Sequence, residues 1–146
     1  MYTFNIIIYN SMAIGNKIIN KASNSSFITT LYETNSLAYA YYLCVFTSDV
    51  SALSKAFICQ DISTHQERYN EFLITETSGT EILTSGTITL NPTGQWSYKI
   101  YGQSSASNLD PLLATSLLEI GQLHVVGTST TFYANNDENN TFYINE

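Results

Sequence analysis

Charge is what this 146-residue sequence has least of. Only 12% of its residues are Asp, Glu, Lys or Arg, five basic against twelve acidic, giving a net charge of −7 and a pI near 4.6. A chain so poor in cations has little to offer a phosphate backbone, so nucleic acid is not an expected partner. Cysteine is also scarce, with only Cys44 and Cys59. Disulfide-framed secreted domains usually carry more, and both cysteines sit in apolar runs. Two buried free thiols are therefore expected, although the two could pair. Residues 1–8 alternate apolar with polar side chains and lack a basic start, so no secretory leader is expected. The longest apolar run, residues 37–46, falls well short of the roughly 20 residues of a membrane-spanning helix, and no membrane association is expected. Neither a P-loop nor a Gly-x-Gly-x-x-Gly run is present.

What the sequence does have is apolar and aromatic mass: 44% hydrophobic and 13% aromatic residues. That is too much for a disordered chain, and the length suits one domain with its own core. Ser, Thr and Asn replace charges as the solubilising residues. Helical periodicity is almost missing, while apolar and polar residues alternate along most of the chain. Tyr2, Phe4, Ile6 and Ile8 share one strand face. Residues 37–46 are apolar on both faces, which suits a central strand. Further strands are expected at 56–62, 71–77, 87–90, 95–101 and 123–126. In the fourth of these, Trp96, Tyr98 and Ile100 lie opposite Gln95, Ser97 and Lys99.

The turns support the same pattern. Asn91-Pro92-Thr93-Gly94 has the composition of a type I turn and predicts a hairpin joining 87–90 to 95–101. Thr131-Phe132-Tyr133 and Thr141-Phe142-Tyr143 bracket the polar residues 135–140 and predict a second hairpin. Two segments break the rhythm. Residues 10–26 read as a long loop or a hinge. Residues 104–118 read as a long loop or a short helix, capped by Asp110 with Pro111 at its first position. In the helical case Leu109, Leu112, Leu113 and Leu117 would share a side. The expected fold is thus all-β, an antiparallel β-sandwich of immunoglobulin-like type. Residues 1–26 would form an N-terminal strand or arm with its loop, and 27–146 a single sandwich domain.

Candidate chemistry is thin. His65 and His124 are too few, and too far from other N or S ligands, for a zinc site. Neither cysteine has basic neighbours that would activate a thiolate. Glu67 with Glu71, Glu76 with Glu81, and Asp137 with Glu138 are near in sequence, and a glycosidase needs two carboxyls flanking a cleft, but acidic residues beside turns are usually just solvated. The Asn/Asp/Glu stretch at 135–140 lacks the ordered ligand spacing of an EF-hand. Asn24-Ser25-Ser26 and Asn139-Asn140-Thr141 match the glycosylation sequon, which carries little weight without a secretory leader. The expectation is no catalytic residue, no cofactor and no metal. The aromatics point instead to contact surfaces, since tyrosine and tryptophan bring area at low entropic cost together with a polar handle.

A resemblance sharpens this expectation. Tyr41-Tyr42-Leu43-Cys44-Val45-Phe46-Thr47, Lys55-Ala56-Phe57-Ile58 and Asp61-Ile62-Ser63 are followed by Arg68-Tyr69-Asn70-Glu71-Phe72-Leu73-Ile74-Thr75-Glu76. Then come Leu90-Asn91-Pro92-Thr93-Gly94-Gln95-Trp96-Ser97-Tyr98-Lys99-Ile100-Tyr101, Gln103-Ser104-Ser105, Asn108-Leu109-Asp110-Pro111 and Leu118-Glu119-Ile120-Gly121. Over residues 39–127 this series resembles small β-sandwich virion proteins of tailed bacteriophages, especially crAss-like phages and relatives infecting Bacteroidetes. The resemblance implies a non-enzymatic auxiliary capsid protein in the virion, assembled in the host bacterial cytoplasm. Its partners would be the major capsid protein or neighbouring virion proteins, with a homo-oligomer possible. Candidate contact residues are Tyr2, Phe4, Ile6, Ile8, Trp96, Tyr101, Phe142 and Tyr143. The terminal ones would act by adding a strand to a neighbour's sheet edge. The alternative is a glycan- or host-surface-binding module of a head fibre or tail appendage, which would present Trp96, Tyr98 and Tyr101 as exposed platforms. A hydrolase using paired carboxylates is the third and weakest reading.

Overall fold

A computed structural model describes residues 17–34 and 38–127. The expected arm at 2–8 and the hairpin of 131–143 lie outside the described residues. The fold is all-β. In chain order it comprises β1 (Lys17–Asn20), β2 (Asn24–Thr29), one helical turn α1 (Leu31–Thr34), β3 (Tyr41–Ser48), β4 (Ser54–Asp61), β5 (Asn70–Glu76), β6 (Thr87–Ile88), β7 (Gly94–Gln103) and β8 (Ser116–Val126). The strands join in one sheet of order β1-β8-β7-β3-β4-β5-β2, with β6 beside β5. β1 runs parallel to β8, and β2 antiparallel to β5. The two end strands of the order are neighbours in the chain, so the sheet curls until it nearly closes into a barrel.

The curl turns on β4. From Ser54 to Cys59 this strand pairs with β3, and at Gln60 and Asp61 it pairs with Leu73 and Phe72 of β5. Inside the curl, alternate side chains meet. Phe27 of β2 lies 6.4 Å from Phe46 of β3 and 5.7 Å from Tyr98 of β7, centroid to centroid, and Phe46 meets Phe57 edge-on at 4.8 Å. Trp96, Ile100, Leu123 and Val125 complete this interior. Gly121 is required there, because a Cβ at that position would overlap the Tyr98 phenol.

Several expectations need correction. Residues 17–26, expected as loop, instead supply β1 and the start of β2, because their short apolar alternation is enough once β8 and β5 provide partners. The hairpin across Asn91–Gly94 does not form. β6 pairs in parallel with β5, while β7 pairs with β3 and β8, so these residues carry the chain from one side of the curl to the other. The 104–118 segment does contain a turn that Asp110 caps, its carboxylate accepting from the Leu112 N–H at 2.9 Å. That turn is a single 3-10 turn at Pro111–Leu113, and Leu117 already belongs to β8. The leucines do not form one packed face, since Leu112 and Leu113 are 89% and 73% exposed. Finally, Cys44 and Cys59 are not free thiols. They sit diagonally on β3 and β4, with Cα atoms 6.0 Å apart, and are joined by a disulfide.

The closure is held by one buried carboxylate. Glu76, at the end of β5, accepts from the Ala22 N–H at 2.7 Å, the Leu90 N–H at 3.0 Å and the Lys21 ammonium at 2.6 Å. Lys21 also donates to the Leu90 carbonyl and to Asn91 Oδ1, both at 2.9 Å. Burial alone would raise the Glu76 carboxyl, but the Ala22 and Leu90 N–H groups and the Lys21 charge outweigh it and hold the group below 4.5. Its contribution is therefore complete above that pH and is lost as pH falls through the lower folded value. Glu76→Ala leaves two N–H donors unpaired and takes from the half-buried Lys21 ammonium its carboxylate partner. Urea unfolding at pH 7 should show a loss of about 1–3 kcal/mol, and that deficit should shrink on acidification. A loss no larger than an exposed substitution gives would refute this role. The disulfide closes a short loop, its cysteines 15 apart in sequence. Adding reductant to the same measurement should cost about 3 kcal/mol, and unchanged stability would refute the bond.

Candidate functional site

Alternation places two sets of side chains on the layer β1-β8-β7-β3-β4, one inside and one outside. Of the residues expected to make contacts, only Trp96 and Tyr101 are described, and they fall in opposite sets. Trp96 is fully buried, and its indole N–H donates to the Pro92 carbonyl at 2.9 Å. Tyr98 is buried as well, with its hydroxyl donating to Glu119 at 2.9 Å. Neither can be a contact residue or a sugar platform, and this corrects the expectation for Trp96 and for the Trp96–Tyr98 surface. The reason is that β7 lies between β3 and β8, so its larger residues face the core. Tyr101 has the opposite orientation and is half-buried on the outer face. Tyr2, Phe4, Ile6, Ile8, Phe142 and Tyr143 lie outside the described residues.

The outer face carries apolar residues that the sequence reading passed over. Ile120, 59% exposed, lies opposite Lys99, and Leu117 lies opposite Tyr101. Ile18 on β1 pairs with exposed His124 on β8. Leu112 and Leu113, just before β8, are the most exposed large apolar side chains described. A β-bulge between Ile100 and Tyr101 shifts the register of β8, setting Leu117 across from Tyr101 and Glu119 across from Ile100. Charge on this face is limited to sparse groups such as Lys99. The position of Ile120 was legible only in part: it falls out of phase with Leu123, but strict alternation would set it in phase with buried Leu118. The bulge that sets that phase was not.

The ionisable residues are engaged structurally. Glu81 pairs with Lys55 at 2.8 Å, so the Glu76–Glu81 pair is divided between two separate lysines. Glu76 is buried rather than solvated, which corrects the expectation for it. His65 and His124 are both exposed, the first in the loop after β4 and the second on β8. Among the described residues no group of His, Cys, Asp and Glu could hold a metal ion, and no helix is long and apolar enough to cross a membrane. No protein-family model matches the chain, and neither does any curated protein.

Behind the outer face lies a buried polar trio. The Lys17 ammonium sits 5.7 Å from the Tyr98 ring centroid and 5.8 Å from that of Phe27, and Tyr98 bonds Glu119. Burial pushes the Glu119 carboxyl up, partly offset by the Tyr98 hydroxyl and the Lys17 charge. It likewise lowers Lys17, partly offset by Glu119, and burial with the Glu119 charge pushes the Tyr98 phenol far up. A carboxyl raised above 4.5 on folding favours the native state most while protonated, and that gain falls away as pH climbs through the raised value. Glu119→Gln should therefore lose little or no stability at pH 7 relative to its loss at pH 4. Urea unfolding of both proteins across that range checks this, and a pH-independent difference would contradict it.

Proposed function

We propose that the chain is a non-enzymatic structural protein of a virion, an auxiliary capsid protein that docks on the major capsid protein lattice. The observation that carries this reading is the outer face of β8 and its approach: Ile18, Leu117 and Ile120 exposed on the strands, and Leu112 and Leu113 before them. A monomer gains nothing from such exposure, whereas apolar contact residues with few charges are what the centre of an interface uses. On a lattice each contact can be weak, because repetition raises the effective concentration of every neighbour. The Cys44–Cys59 disulfide fits a particle that leaves the reducing cytoplasm.

The same reading takes the fold to be an immunoglobulin-like sandwich. The order β4-β3-β7-β8 corresponds to strands C′-C-F-G, and the β2–β5 pair to B–E. Phe27 of the smaller layer meets Phe46 and Tyr98 of the larger, and Phe72 meets Tyr42. The departures are the disulfide, which joins neighbouring strands instead of spanning the layers, and the tryptophan, which stands on the F-like strand.

Co-sedimentation of the purified protein with capsid shells stripped of accessory proteins tests the function. Saturable, stoichiometric binding that survives high salt is expected. The exposed-site double variant Leu117→Glu/Ile120→Glu should keep its circular dichroism spectrum and lose binding by at least about tenfold, as loss of central interface residues does. Absence of binding by the folded wild-type protein would overturn the proposal.

A further inference from the structure

The change of partners along β4 leaves a notch. β3 stops pairing with β4 at Tyr42 and Cys59, and β5 begins at Gln60 and Leu73. Beyond Ile58 the opposite edge of β4 is met by the 82–86 segment, through a 2.7 Å bond from the Ile58 N–H to the Leu83 carbonyl. The result is a groove of about 310 Å³ lined by Tyr39, Tyr41, Ile58, Gln60, Gln66 and Thr84 among others. A second groove of about 220 Å³ adjoins it, sharing Tyr42 and Gln66. The larger is at the small end of the roughly 300–1,000 Å³ range of ligand sites.

Its chemistry is specific. Tyr41 is 39% exposed on β3, and Tyr39 stands edge-on to Tyr42 at 6.4 Å, so aromatic surface walls one side. Amides and a hydroxyl, from Gln60, Gln66 and Thr84, supply both donors and acceptors. Asp61 also lines the groove, but its oxygens already accept from the Ser63 N–H and hydroxyl, Gln66 Nε2 and Asn70 Nδ2 at 2.6–3.0 Å. It therefore fixes the Gln66 side chain and adds negative charge. No lysine or arginine is among the lining residues. An anionic ligand would be repelled there, and a purely apolar one would leave the amides unpaired.

We propose that this groove binds a neutral saccharide of one or two rings. The C–H face of a sugar would stack on Tyr41, whose ring face is electron-rich, while its hydroxyls would exchange hydrogen bonds with Gln60, Gln66 and Thr84. The groove is formed around β4, apart from the outer face of β8, so saccharide binding and capsid docking can succeed or fail independently. It also relocates sugar recognition away from Trp96 and Tyr98, which are buried.

The test is an amide NMR titration of the full chain with a panel of neutral mono- and disaccharides of glucose, galactose, mannose and N-acetylhexosamines, with sialylated and sulfated counterparts alongside. Saturable shifts at Tyr41, Gln60, Gln66 and Thr84 with at least one neutral sugar are expected, with the anionic counterparts weaker. Tyr41→Ala and Gln60→Ala replace exposed side chains, and each should keep the native spectrum elsewhere while weakening binding by at least about fivefold, the scale of one lost aromatic or hydrogen-bond contact. The proposal is overturned if no neutral sugar shifts the groove, if anionic sugars bind as well, or if both variants bind like the wild type.

Discussion

The nearly closed sheet depends on a carboxylate removed from water. Glu76 terminates β5, yet its oxygens bind the turn between β1 and β2 and the backbone at Leu90. Those are the points at which the two ends of the sheet and the crossover to β7 come together. A buried charge is tolerated only when donors surround it, and here an ammonium and two backbone N–H groups do so. The pair therefore selects one closure over others that the same apolar strands could form. Lys21, with further acceptors at Leu90 and Asn91, fixes the crossover in the same act.

With the ends fixed, the interior and exterior of the sheet differ sharply in chemistry. The interior is aromatic and holds few polar groups, of which Lys17, Tyr98 and Glu119 form one mutually compensating set. The exterior around β8 is sparsely charged and locally apolar, which is unusual for a surface meant only to face water. Low charge makes the chain a poor ligand for polyanions, while Ile120, Leu117 and the two leucines before β8 offer van der Waals and desolvation gains to a protein surface. The capsid reading draws on that contrast. The groove at β4 is distinct in kind, since polar groups and tyrosines there are arranged around space.

Much of the fold was legible. Strands at 54–61, 70–76 and 94–103 lie within a few residues of where alternation put them, because a half-buried strand writes its period directly into the sequence. The Asp110–Pro111 cap was legible for the same reason, as a local hydrogen bond between near neighbours. Pairing was not. Asn91-Pro92-Thr93-Gly94 has turn chemistry, but whether a turn returns the chain beside its predecessor or sends it across the core depends on strands far away in sequence. The disulfide was missed likewise, since it required β3 and β4 to be adjacent and in register.

The sequence by itself determined that the protein is all-β and that Trp96, Tyr98 and Ile100 act as one set. Each of these follows from composition or from a period of two. Only the tertiary structure decided that this aromatic set faces inward, that Glu76 is buried and paired, and that Ile120 and Leu117 face out. Alternation divides a strand into two faces without saying which one meets the core. That assignment is made by the neighbouring strands and by a bulge in register, both of which are non-local.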